Sequence, residues 1–209
     1  MNRHAFSAGT VCVVGALLFG GCASQPDHFY ELATLPGPSV KEINSASRPV
    51  HLSLTVPSLV DRSEIVLNDA GNGVLIYDHE RWAAPLADQV TATLSRDLEA
   101  RRDDLVFGDS RFVRSGTPPL HVNVDIVQVT ARRSEAGRRG EVSIVAHWHI
   151  AGAGKDAATD QLGGASFTAP LDGDGFAAVA QGYSQVLSQL ADALAAAIPG
   201  ADAPRSALR

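Results

Sequence analysis

Hydrophobic and polar residues alternate along three long stretches of the chain. Residues 50–56, 120–126 and 141–150 carry apolar side chains at the even positions and mostly polar ones at the odd positions. A period of two is typical of a strand with one face in the core and one in solvent. The pattern therefore predicts three half-buried strands, the first of which ends at Pro57.

Shorter apolar runs predict the remaining strands. Residues 64–68 and 74–78 are joined by the sequence DAGNG, whose Gly and Asn residues favour a tight turn, so the two runs predict a β-hairpin. Residues 29–35, 105–107 and 165–171 are three further strand candidates.

Two stretches have the period of a helix instead. The first starts at Pro85 and ends near Arg101 and Arg102, with apolar residues every four positions, and the second spans residues 176–198. Strands outnumber helices, and one helix lies between strands while the other follows them. The sequence predicts a single α+β domain, with a mainly antiparallel or mixed sheet of about five to seven strands and two helices on one face.

The N-terminus has the features of a secretory signal. Arg3 precedes an uncharged, mostly apolar run over residues 11–21, which is about half of the roughly 20 residues needed to span a membrane. We expect residues 1–21 to be removed and residues 22–49, which contain Pro36, Pro38 and Pro49, to form a short tether. A periplasmic domain over residues 50–199 and a disordered tail over residues 200–209 complete the predicted organisation.

Cys22 directly follows Gly20 and Gly21, which resembles the lipobox of bacterial lipoproteins, although Phe19 stands where leucine is usual. The resemblance implies that Cys22 is lipidated, and Ala23 rather than aspartate after it implies transport to the outer membrane. The only other cysteine, Cys12, lies in the predicted signal, so the mature chain has no intramolecular disulfide. The alternative is a free thiol near an ordinary cleavage site.

Few residues point to chemistry. His147 and His149 lie two apart on a predicted strand and could share a metal, with His51, His121 or Asp125 as a third ligand. However, the chain has no established zinc spacing and no nucleophile elbow, and an exposed strand face also explains the histidines. We therefore predict no enzyme activity and no cofactor. The net charge of −6 without a basic block argues against nucleic acid as a partner.

Several segments together resemble the ABC-type transport auxiliary lipoproteins, the PqiC-like (paraquat-inducible protein C) family. They are HFYEL, VPSLVDRSEIV, ERWAAPL, VSIVAHW and the C-terminal YSQVLSQLADALAAAI. The most specific pieces contain Pro57, Leu59, Asp61 and Arg62 and then Arg81, Trp82, Pro85 and Leu86. Each piece could be a partner-docking motif, or could simply brace a strand edge and the start of a helix.

The resemblance implies an accessory role in lipid transport between membranes. Members of the family are outer-membrane lipoproteins encoded with an ABC permease and an MCE-domain protein. The implied partners are therefore an MCE-domain periplasmic protein, its inner-membrane permease, membrane lipid through the Cys22 anchor, and further copies of the chain. Exposed sheet edges and the Gln/Ser face of the last helix are candidate contact surfaces. A structural envelope lipoprotein and a metal-dependent periplasmic enzyme are the alternatives.

Overall fold

The computed structural model describes residues 25–35, 47–69, 71–107, 118–134, 139–152 and 160–200. The elements in chain order are β1 (His28–Tyr30), β2 (Arg48–Thr55), β3 (Glu64–Asn68), β4 (Val74–Trp82), α1 (Leu86–Arg101), β5 (Leu105–Phe107), β6 (Leu120–Arg132), β7 (Glu141–Gly152), β8 (Gln161–Pro170) and α2 (Phe176–Ala197). The predicted α+β class with two helices is confirmed. The predicted signal, Cys22 and residues 201–209 lie outside the described residues.

The strands form two sheets rather than one. Five strands have the order β5-β2-β6-β7-β8, and three have the order β1-β4-β3. Strand β2 is parallel to both of its neighbours, whereas β6, β7 and β8 are antiparallel. The hairpin pairs instead with the short strand β1 and contacts the larger sheet near the end of β6, where the Ala131 amide donates to Asn68 Oδ1 (2.9 Å).

Helices α1 and α2 pack side by side on one face of the five-stranded sheet. The apolar stripe of α1 lies against this face, and Leu94 and Leu98 are fully buried. The even-numbered residues of β7 and those of β6 as far as Ile126 meet the helices from the other side, as the period of two predicts. Each fully buried leucine contributes about 2 kcal/mol to folding, so this single core holds the larger sheet and both helices together.

The strand predicted over residues 29–35 covers only His28–Tyr30. The segment that follows lies across the helices, where side chains accept its backbone hydrogen bonds. Leu32 N donates to Gln89 Oε1 (2.9 Å) and Ala33 N donates to Ser184 Oγ (3.0 Å). Partners on α1 and α2 therefore replace the strand neighbour that this apolar run would otherwise need.

Strand β6 continues well beyond the predicted residues 120–126. The register with β7 shifts between Ile126 and Gln128, which leaves Val127 as an exposed extra residue. Pairing then resumes as far as Arg132. A strict period of two does not predict the residues after this β-bulge as part of the strand, because the bulge moves their side chains to the opposite face.

Candidate functional site

Six residues that the sequence singles out come together at the start of α1. They are Pro57, Asp61, Arg62, Arg81, Trp82 and Pro85, and we call them the α1 brace. Residues 57–62 follow β2, and residues 81–85 connect β4 to the helix. The amide of Trp82 donates to Ser63 O (2.6 Å), which joins the two segments directly.

Asp61 caps the helix from a distant part of the chain. The helix starts after Pro85, whose side chain makes no capping hydrogen bond. Asp61 Oδ1 accepts a hydrogen bond from the Ala87 amide (3.1 Å) instead, which satisfies a donor that the first turn leaves free. A turn in which Pro57 O accepts from the amides of Val60 and Asp61 positions this carboxylate.

Glu64 holds the two arginines of the brace together. Arg62 Nε lies 2.9 Å from Glu64 Oε2, and an Arg81 guanidinium nitrogen lies 3.4 Å from Glu64 Oε1. The hydrogen bond from Arg62 is the main cause that lowers the pKa of Glu64. Glu64 is therefore ionised at neutral pH, and it fixes both guanidinium groups at the edge of the small sheet.

Trp82 is the buried part of the brace. Only 3% of its surface is exposed, and its ring meets that of Tyr183 on α2 edge to face at 5.2 Å. Burial also raises the pKa of Tyr183. Trp82 thus joins the small sheet to α2 and has no surface to offer a partner.

Beside the brace, the 57–62 turn carries an apolar and a charged side chain that face outward, Leu59 and Arg62, which we call the exposed turn pair. Leu59 is 49% exposed, and the Arg62 side chain is 39% exposed. Leu59 belongs to the same family segment as Arg62. Its exposure depends on the turn that starts at Pro57, and the sequence shows no local sign of it.

The family model for the ABC-type transport auxiliary lipoprotein component matches residues 30–195, which include the whole brace. The chain belongs to this family. The resemblance that the sequence motifs indicate is therefore confirmed over these residues. No curated protein is significantly similar to the chain in sequence.

Two solved structures share the fold of this auxiliary lipoprotein. One is the crystal structure of an uncharacterized protein, with a TM-score of 0.57, 20% identity, and coverage of 82% of this chain and 98% of the other. The second is a Xanthomonas campestris protein of the DUF330 family, with a TM-score of 0.56, 16% identity, and coverage of 80% and 92%. At these identities the likeness concerns the fold alone.

A second candidate site of the auxiliary lipoprotein is the sheet face opposite the helices. Paired residues of β2, β6, β7 and β8 form a groove of about 610 Å³ there. Two rows of paired residues cross it. The first row consists of Ser53, Asn123, His149 and Leu162, and the second consists of Thr55, Asp125, His147 and Gly164.

Three of the histidines of this face contact neighbouring side chains. The rings of His51 and His121 stack with their centroids 5.3 Å apart, and His149 contacts the Asp160 carboxylate. Thr55 donates to Asp125. Across the described ranges, no three His, Cys, Asp or Glu side chains come close enough to hold a metal ion. The face offers scattered polar groups without a shared centre.

The Gln/Ser face of α2 is only partly open. Gln181 is exposed, whereas Ser184 is buried and accepts the Ala33 amide, and Ser188 Oγ accepts a hydrogen bond from Arg101 (2.6 Å). The segment after β1 and helix α1 therefore cover the serines of this face, and its other polar residues remain a candidate contact surface.

A polar cluster between β1 and β4 has no counterpart among the residues predicted from the sequence. Tyr30 donates to Glu80 (2.6 Å), and His28 Nδ1 lies 3.1 Å from the same carboxylate. Burial, with the Glu80 contact, raises the pKa of Tyr30 to about 12. No local signal in the sequence could reveal it, because about 50 residues separate the partners.

In the part of the chain that the structure describes, no helix has the length and apolar character needed to cross a membrane.

Proposed function

We propose that this chain is a non-enzymatic outer-membrane lipoprotein that docks an MCE-domain protein of an intermembrane lipid transport system. The family match over residues 30–195 carries the proposal, because the family is an auxiliary component of ABC-type transport. The associated ABC permease would lie in the inner membrane, and the assembly would support envelope integrity.

The proposed anchor makes weak docking sufficient. Lipidation at Cys22, followed by Ala23, would hold the domain at the outer membrane. Two or three acyl chains give stable attachment, whereas one gives only marginal binding. Confining the docking surface to one membrane raises its effective concentration, so a small contact with the partner suffices.

The exposed turn pair, Leu59 and Arg62, is the proposed docking surface. Leu59 supplies an apolar contact, and Arg62 lies nearby with its guanidinium already fixed by Glu64. Because the turn is held in place by its own hydrogen bonds, docking would order few additional groups. Self-association into a ring would present several copies of this turn to an oligomeric MCE partner.

Matched leucine substitutions test the docking surface. Leu59→Asp places a charge in the proposed contact, whereas Leu162→Asp places one in the groove of the larger sheet, where Leu162 is 84% exposed, so the pair distinguishes the two candidate surfaces. We expect detergent pull-down of the lipidated, tagged chain to recover an MCE-domain protein from the wild type and from Leu162→Asp, and to lose it with Leu59→Asp. Trp82 is unsuitable for this test because its loss would disturb the core.

A structural envelope lipoprotein is the alternative function. Recovery of the wild-type chain alone, even after crosslinking in cells, would reject docking and favour this alternative. The anchor is tested separately with Cys22→Ser, which should leave an uncleaved or soluble precursor. Unchanged fractionation of this variant with the outer membrane would reject the lipid anchor.

A further inference from the structure

The β3–β4 hairpin carries, next to its turn, an apolar surface that the described residues leave uncovered. Val74, Leu75 and Ile76, which we call the hairpin tip, are 37%, 46% and 42% exposed. Their partners on β3 include Val66 and Leu67, which are buried. The core therefore covers one strand of the hairpin and leaves the start of the other open.

The exposure of three successive residues shows that this part of β4 projects from the core. Neighbouring residues of a strand point to opposite faces, so one covered face would hide every second side chain. Strand β1 pairs only with residues 80–82 of β4, and no other described strand lies beside residues 74–77 on that edge. From Gly71 to Tyr77 the sequence has no charged residue. No charged side chain in this stretch therefore disfavours contact of the edge with an apolar surface.

The direction of β1 brings the N-terminal part of the chain toward the same end of β4. Because β1 is parallel to β4, its N-terminal side points toward the hairpin tip. Asp27 confirms this direction, since its carboxylate lies 2.8 Å from His79 Nδ1. Cys22 is five residues before Asp27, a span of at most about 18 Å, and Val74 is five residues before His79, which is about 17 Å of strand.

We propose that the hairpin tip contacts the phospholipid surface of the membrane that holds Cys22, and thereby orients the domain on that membrane. The proposal rests on the lipid anchor of the proposed function. Exposed Asp69 and Asp78 flank the tip, so its apolar side chains would enter the headgroup region without a deeper insertion. Three partly exposed side chains orient a domain that the acyl chains already hold.

This orientation places the α1 brace away from the membrane. Trp82 and Val74 lie at opposite ends of β4, which are about 25 Å apart along the strand. A tip at the bilayer therefore directs the brace into the periplasm, where a partner from the other membrane can reach it.

Site-specific fluorescence on the lipidated mature chain tests the proposal. With Cys22 acylated, Leu75→Cys supplies the only free thiol for an environment-sensitive probe. Leu162→Cys is the matched control, because it is an exposed leucine at the opposite end of the larger sheet from the hairpin. In vesicles of phosphatidylethanolamine and phosphatidylglycerol with quencher-labelled lipids, we expect several-fold stronger quenching at position 75 than at position 162.

Two results would overturn the proposal. Equal quenching at the two positions would show that the tip does not meet lipid, and a blue-shifted probe at position 75 without lipid quenching would show that protein covers it. The mass of the N-terminal peptide reports acylation independently. If Cys22 is not acylated, the anchor and the orientation that rests on it both fail, and this result is distinct from equal quenching in an acylated chain, which rejects the tip contact alone.

Discussion

The two ends of β4 differ in almost every physical respect, although they belong to one nine-residue strand. At the C-terminal end, Trp82 is buried and Arg81 is held by Ser63 and Glu64. At the N-terminal end, three apolar side chains are exposed and one edge is open. The strand thus has one end that is buried in the core and one end whose side chains are largely open.

The two ends of β4 differ in role, although their sequences look alike. Both ends contain large apolar residues, and apolar content would suggest core at each. Burial distinguishes them, because only the end that meets α2 is covered. We therefore expect substitutions at the C-terminal end to affect stability, and substitutions at the tip to affect interactions with the surroundings.

The largest expected effect tests this division directly. Trp82→Ala removes a buried aromatic ring and its contact with Tyr183, so we expect a loss of about 3–5 kcal/mol in the free energy of unfolding. Leu75→Ala is the matched control at the tip, where we expect a change within about 0.5 kcal/mol. Urea denaturation measures both, and similar losses for the two variants would contradict the division.

An intermediate effect on the free energy of unfolding is expected at Asp97, a buried residue of α1 whose ionised side chain lowers stability. Asp97 is fully buried, and although Oδ1 accepts the Leu35 amide (2.7 Å), Oδ2 has no hydrogen-bond partner among the described residues. Burial raises the pKa of Asp97 to about 6, against the smaller opposing effects of the Leu35 hydrogen bond and of Arg101. Ionising the Asp97 carboxyl group therefore costs more free energy in the folded chain than in the unfolded chain.

The sign of the pH dependence follows from this shift. Between about pH 4 and pH 6 the folded state binds more protons at Asp97 than the unfolded state does, so this group lowers stability as the pH rises through that range. A shift of about two units corresponds to at most about 3 kcal/mol. Asp97→Asn keeps an acceptor for Leu35, and we expect it to remove this decline in denaturation curves measured from pH 4 to pH 7. An unchanged decline would show that other groups cause it.

Much of the fold could be predicted from the sequence because its elements are local patterns. The period of two identified β2, β6 and β7, and the stripe of every fourth residue identified α1. The division into two sheets could not be predicted, since it depends on the pairing of β1 with residues 80–82, about 50 positions away. No periodicity within either segment records that register.

The candidate site was predictable in its members but not in their roles. The family segments indicated both parts of the brace, and the position of Pro85 indicated the start of a helix. The sequence could not show that Trp82 is covered while Leu59 is exposed, because α2 covers one and a turn displays the other. Side-chain roles at this site depend on tertiary contacts between segments that are far apart in sequence.

The smallest expected effect tests whether the C-terminal end of β4 and the 57–62 turn act together in starting α1. Asp61→Ala removes the acceptor of the Ala87 amide, and we expect a loss of about 1 kcal/mol in the free energy of unfolding, typical of a lost helix cap. Asp61→Asn keeps an acceptor oxygen and should retain most of the stability. The two variants compared by urea denaturation separate the hydrogen bond from the charge. An equal loss in both would assign the effect to charge, and no loss in either would mean that α1 starts without help from the turn.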